Sequence, residues 1–230
     1  MIPLRDHIAS SRVPYVNYAI IGTCVAVFLW QLSLGSPGGQ HAMYGLGAIP
    51  AVIFGDAHLP EGFVMVPAWA TVFTSMFLHG GWMHLIGNML YLWIFGDNVE
   101  DSMGHVRYVI FYLLCGVAAV LAQSLPDTTS QVPMIGASGA ISGVLGAYLL
   151  LYPKARVLVM IPLGIIMKAH YLPAAVVLGF YFVLQVVMTA MTPAGGGGVA
   201  FAAHLGGFVA GAALITIFKH RRVRLFSGRR

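Results

Sequence analysis

Long apolar runs alternate along the chain with short, turn-rich breaks, and six runs approach the length of a bilayer crossing: 15–34, 73–95, 107–125, 135–152, 171–191 and 200–218. A hydrocarbon core of about 30 Å takes roughly 20 apolar helical residues. The pattern predicts an all-α membrane protein built as a six-transmembrane-helix bundle. The longest break, 35–67, holds Pro37, Pro50, Pro60 and Pro67, so a structured external loop between helices 1 and 2 is expected there rather than a seventh span. Residues 1–230 read as one membrane domain, with an N-terminal segment 1–14, a core 15–218 and a basic tail 219–230.

Composition narrows the class further. With 59% hydrophobic and 8% charged residues, the chain has too little polar surface for a water-soluble fold. Arg5 and Arg12 precede the first apolar run, as in a signal peptide, but the run is longer than a signal's core and further spans follow. An uncleaved anchor is expected. Cys24 and Cys115 lie inside apolar runs, where a thiol packs as a small hydrophobe, and both are expected to be free.

Charge then sets the orientation, because Lys and Arg stay on the cytoplasmic side during insertion. Six crossings with the N-terminus inside put all twelve Lys and Arg in cytoplasmic segments, and leave Asp56, Glu61 and Asp127 outside. The net charge of +5 is therefore a membrane signature, and the tail is expected to meet anionic lipid headgroups. No nucleic-acid partner is expected.

The candidate chemistry sits toward the external ends of the spans. In "MIGASGAISG", 134–143, Ser138 opens span four, and His204 lies about one turn into span six. At 1.5 Å rise per residue the two share a depth, and serine beside histidine is a nucleophile with its general base. In "HGGWMHLIGN", His84 and Asn88 are four apart and so lie on one helical face. Their donors, with the Ser138 backbone N–H, suit an oxyanion hole, and His79 is placed on the water route.

No Asp or Glu follows Asp127, so a Ser-His dyad is expected rather than a triad with a carboxylate. Two other readings bear on these residues. Gly139-x-x-x-Gly143 and Gly207-x-x-x-Gly211 are also helix-packing motifs, and His204, Gly207 and Gly211 share one face, so the glycines are expected to join spans four and six beside the imidazole. A zinc site of His79, His84 and His204 lacks a His-Glu-x-x-His motif, a nearby carboxylate and a nearby cysteine; no metal and no cofactor are expected.

"HGGWMHLIGNMLYLWIFGDNVED", "GASG" and "AHLGGFVAG" occur in this order on spans two, four and six, and through them the sequence resembles the rhomboid family of intramembrane serine proteases over about 73–217. The resemblance implies Ser138 as nucleophile, His204 as general base, and His84 and Asn88 in the oxyanion hole. It also implies Gly136 in the bend before the serine and Glu100 as a structural acid in the turn between spans two and three. Trp69-Ala70 stands where the family commonly has Trp-Arg. Ser142 stands where many members carry an aromatic against the catalytic histidine, which leaves the group that holds His204 unassigned.

The expected activity is hydrolysis of transmembrane segments of single-span or multi-span membrane proteins near the external face. Substrates are expected to reach the site beside span five, past the 195–198 glycine loop, and to carry a small residue before the cut bond. The expected location is a cell membrane, the prokaryotic plasma membrane, with both termini cytoplasmic. The alternative is a catalytically silent relative that binds or escorts transmembrane helices. The presence of both Ser138 and His204 favours the enzyme.

Overall fold

In the computed structural model of the protein, residues 1–163, 166–191 and 199–227 are described. The 195–198 loop, Arg229 and Arg230 lie outside them. In chain order the elements are β1 (Ile2–Asp6), α1 (Tyr15–Ser33), α2 (Gly35–Leu46), α3 (Pro50–Ile53), α4 (Ala68–Thr74), α5 (Trp82–Met103), α6 (His105–Ser124), α7 (Ser138–Leu151), β2 (Arg156–Leu163), β3 (Ile166–Pro173), α8 (Ala174–Met191) and α9 (Phe201–Phe218). Four of these helices, α1, α6, α8 and α9, are long and apolar enough to cross a membrane.

The second apolar run is bent rather than straight. Segments Glu61–Phe77 and Trp82–Met103 meet at 80°, because Leu78 and Gly81 are extended and the Gly80-Gly81 pair gives a helix little reason to continue. The expected span 73–95 thus becomes a short helical stretch, a break and then α5. The break leaves His84 in the first turn of α5, close to the start of α7.

Glycine decides how α7 sits. A Cβ at Gly143 would overlap the Cys115 side chain, and one at Gly207 or Gly211 would overlap the backbone of Gly139 or Gly143. Only hydrogen at these positions lets α7 and α9 cross backbone to backbone, as both glycine motifs led us to expect. Every residue from Gly139 to Tyr148 is buried, matching a helix that is apolar on all sides. At 14 residues α7 is about 21 Å long, shorter than the hydrocarbon core, so its first residue can lie below the membrane surface.

The all-α expectation needs correction. β1, β2 and β3 form an antiparallel sheet in that order, with Pro3 opposite Val159 and Ile161 opposite Lys168. Val157 and Val159 are fully buried while Leu158 and Met160 are partly exposed, the period-two alternation of a strand covered on one face. β2 and β3 thus fill the break expected between spans 135–152 and 171–191, and α8 starts at Ala174.

The sheet gathers one end of the molecule. His220 N–H donates to Ser102 O at 2.9 Å, Phe226 N–H to Leu150 O at 2.7 Å, and Ser227 N–H to Leu151 O at 3.0 Å. The N-terminal strand, the α5–α6 turn, the α7–α8 hairpin and the C-terminal segment therefore share this end, and the described Lys and Arg residues belong to it. The candidate chemistry lies at the other.

Candidate active site

The bend before α7 is fixed from two directions. Gly136 N–H donates to Ser75 O at 2.9 Å, and Ala48 and Met134 exchange backbone hydrogen bonds of 3.0 and 2.8 Å. Gly136 has φ +120°, and a Cβ there would lie 2.7 Å from the His84 ring. A side chain is excluded both by backbone conformation and by the imidazole it would strike. The turn delivers Ser138 as the first residue of α7, where its N–H lies outside the intrahelical ladder.

His204, one turn into α9, places Nε2 2.7 Å from Ser138 Oγ. On its other side Nδ1 lies 2.9 Å from Gln185 Oε1 of α8. Gln185 is 5% exposed. Sequence reasoning missed it by searching for ionisable and nucleophilic types, although a lone glutamine in an otherwise apolar helix is costly enough to signal a role. Ser142 supports the turn above: its hydroxyl donates to Ser138 O at 2.8 Å and lies 2.7 Å from Tyr181 Oη. An aromatic ring thus comes to the region from α8 instead of from position 142.

The other expected residues occupy distinct places. Asn88 is 8% exposed, and its Nδ2 has no hydrogen-bond partner although the atom is buried. A buried amide donor without a partner costs about 1–3 kcal/mol unless something else uses it, and this one borders the cavity. His84 Nδ1 accepts from Gly80 N–H at 3.3 Å. That bond fixes the ring with its proton on Nε2, the side near Gly136.

His79 departs from expectation. It is 2% exposed, does not line the cavity, and is pinned by Gln31 of α1, which accepts from His79 N–H at 3.0 Å. Its ring packs edge-on against His84 with centroids 5.2 Å apart, so it buttresses that ring instead of bordering a water route. Gly139 belongs to the crossing with α6 and α9, a Cβ there falling 2.5 Å from Ala119. Among the described residues no three His, Cys, Asp or Glu side chains are grouped to hold a metal ion.

Ser138, His204, His84 and Asn88 face a cavity of about 920 Å³ between α5, α7, α8 and α9. Gln123, Asp127 and Ser130 line it together with Ser138, His204, His84 and Asn88, and Met83, Tyr91, Ile141 and Leu145 add apolar wall. A polar hollow with a serine and a histidine in hydrogen-bond contact, set among apolar helices of which α8 and α9 reach bilayer length, marks the molecule as a helical membrane protein with an internal site. The family model for the Rhomboid domain matches residues 67–221, most of the chain, and the protein belongs to the rhomboid family.

The chain is 41% identical over 81 residues to Rhomboid protease GluP of Bacillus subtilis, which covers 35% of this chain and 15% of that protein. It is 27% identical over 137 residues to Rhomboid protein 1, mitochondrial, of Saccharomyces cerevisiae, covering 53% and 40%. With RHOMBOID-like protein 5 of Arabidopsis thaliana it shares 37% identity over 76 residues, covering 33% and 25%. These matches span two fifths or less of the relatives' own lengths. The relatives include mitochondrial and chloroplastic proteins, so membership places the chain in a membrane without choosing which one.

Proposed function

We propose that the protein is an intramembrane serine endopeptidase that cuts transmembrane segments of other membrane proteins with the Ser138–His204 dyad. The observation that carries this reading is the 2.7 Å contact of His204 Nε2 with Ser138 Oγ beside the unpartnered Asn88 Nδ2. Nucleophile, base and a waiting donor face one cavity.

The reaction follows from these positions. Ser138 Oγ attacks the scissile carbonyl carbon as its proton passes to His204 Nε2. The oxyanion receives hydrogen bonds from Asn88 Nδ2, His84 Nε2–H and the Ser138 N–H. Collapse breaks the C–N bond, and His204 gives its proton to the departing amine. Water then attacks the acyl ester with His204 again as base, and the proton returns to Ser138 Oγ. No charged residue is required at the dyad.

In this reading α1, α5, α6, α7, α8 and α9 are six spans and the end holding the sheet is cytoplasmic, as the basic residues there require. The site opens toward the external face. A helix hides its carbonyls in its own hydrogen bonds, and each group freed in hydrocarbon costs several kcal/mol. Substrates are therefore helices with Gly or Pro shortly inside the outer boundary and a small residue before the cut bond.

The test uses the purified protein in detergent with a single-span substrate. Replacing helix-breaking residues by Leu in the outer third of the substrate helix suppresses cleavage, and the same change in the inner third has little effect. Equal sensitivity at both depths, or efficient cutting of an unbroken poly-Leu helix, contradicts the proposal. Binding of the substrate without any cleavage supports the silent, helix-binding alternative.

A further inference from the structure

His204 has two ring nitrogens and, when neutral, one N–H. To take a proton from Ser138, Nε2 must be bare and Nδ1 must carry the hydrogen. That tautomer needs an acceptor at Nδ1, and Gln185 Oε1 stands there at 2.9 Å. The opposite amide orientation would set an NH₂ donor against Nδ1. The proton would then move to Nε2, and Ser138 would face a donor that cannot accept its hydrogen.

The placement of Gln185 has its own support. Tyr181 and Gln185 are four apart on α8 and share a face. The Tyr181 hydroxyl is 2.7 Å from Ser142 Oγ, which in turn donates to Ser138 O, so α8 is fastened to the first turn of α7 one helical turn from Gln185. The titratable groups that line the cavity with His204 are His84 and Tyr91 from α5, Tyr181 from α8 and Asp127 from the segment after α6. From α6 comes Gln123, whose Oε1 accepts from Ala203 N–H at 3.1 Å, and from α7 comes Ser138. Among these Asp127 alone is an acid, and the group at His204 Nδ1 is Gln185.

Building on the protease reading above, we propose that Gln185 is the positioning residue that holds His204 in its working tautomer, the place a carboxylate takes in a Ser-His-Asp triad. Glutamine does this without a charge. It selects the ring orientation but does not stabilise the imidazolium by Coulomb attraction as an aspartate does.

The experiment compares wild type, Gln185→Met and Gln185→Glu as full chains in detergent. It measures the rate of Ser138 modification by a fluorophosphonate, the kcat and KM for a single-span substrate, and the thermal midpoint. Gln185→Met keeps the length of the side chain and removes the acceptor. We expect its modification rate and kcat to fall at least about tenfold, less than the roughly 10⁴ lost when a triad tautomer is reversed, with KM unchanged.

Gln185→Glu restores an acceptor and adds a charge. It recovers activity relative to Gln185→Met, and the acid limb of its kcat/KM profile moves to higher pH, because a carboxylate beside Nδ1 favours the imidazolium. Wild-type modification rates in Gln185→Met overturn the proposal. Where the methionine variant melts early, the glutamate profile decides: an upward shift supports the role, and an unmoved limb overturns it. A wild type that neither cleaves nor reacts with the fluorophosphonate overturns the protease reading itself, which the variants alone would not do.

Discussion

The two ends of the bundle handle polar groups in opposite ways. At the sheet end, carboxylates are matched to donors. Glu100, 1% exposed, accepts from Val16 N–H at 3.1 Å and Asn17 N–H at 2.8 Å, and pairs with His105. It caps the start of α1, which has no side-chain N-cap of its own, and its charge suits a helix N-terminus. Asp101 accepts from Ser11 N–H and hydroxyl, and Asp97 from the Ser10 hydroxyl. At the other end Ser138, His204 and Gln185 form a chain without an acid, and the Asn88 donor faces a cavity unpaired. Satisfied carboxylates fasten an N-terminal segment to the bundle; a neutral chain with a spare donor is fitted to a changing charge.

If this division holds, losses at the two ends differ in kind. The largest effect belongs to Ser138→Ala and His204→Ala, each expected to lower cleavage of a single-span substrate by about 10³-fold or more. Their thermal midpoints stay at the wild-type value, because both side chains border the cavity and water replaces the lost partner. Asn88→Ala comes next. Cleavage slows by roughly 10–10³-fold, again at an unchanged midpoint, since its Nδ2 bonds nothing in the resting protein. A large fall in its midpoint would show that the amide is structural.

Glu100→Ala inverts the pattern. It strands two N–H groups at the start of α1 and is expected to cost about 2–4 kcal/mol of stability, read as a lower midpoint, while the enzyme that remains folded keeps its kcat. Loss of kcat at wild-type stability would join the two ends after all. The smallest effect is on Asp6, which accepts from Tyr148 and Asn98. Burial pushes its carboxyl up to about 6, opposed by the Tyr148 hydrogen bond and aided by the Asp97 charge.

Its ordinary value is 3.8, so between these values the folded state holds more protons than the unfolded chain. Stability from this group is full below the lower value and declines as pH rises through about 6. Asp6→Asn, neutral throughout, is expected to flatten the fall of the midpoint over that interval and to melt slightly higher at neutral pH. An unchanged slope would remove Asp6 from the account.

How much of this was legible depends on what each residue's signal requires. Apolar length alone located α1, α6, α8 and α9 and marked the shorter α7, while the run 73–95 caught only part of α5; the glycine spacing in α7 and α9 foretold their close crossing. Ser138, His204, His84 and Asn88 stood out because polar types at matched depths in apolar runs are expensive. The bend at His79–Gly81 was hidden because apolar residues continue through it, and only the Gly80-Gly81 pair marked the break. The sheet was missed because β1 is five residues long and its partner strand β2 lies far along the chain, Ile2 facing Met160, a long-range pairing that local periodicity does not report. Gln185 carried a local signal, a single amide in an apolar helix, whose meaning appeared only when the fold brought it to His204.

The central claim is that Ser138 is a nucleophile activated by His204, and mass-spectrometric mapping of a fluorophosphonate adduct on the detergent-solubilised full chain tests it most directly. The account predicts one adduct, on Ser138, formed by wild type and lost in His204→Ala. A wild type that forms no adduct, or an adduct on Ser138 that forms as fast without His204, would contradict it.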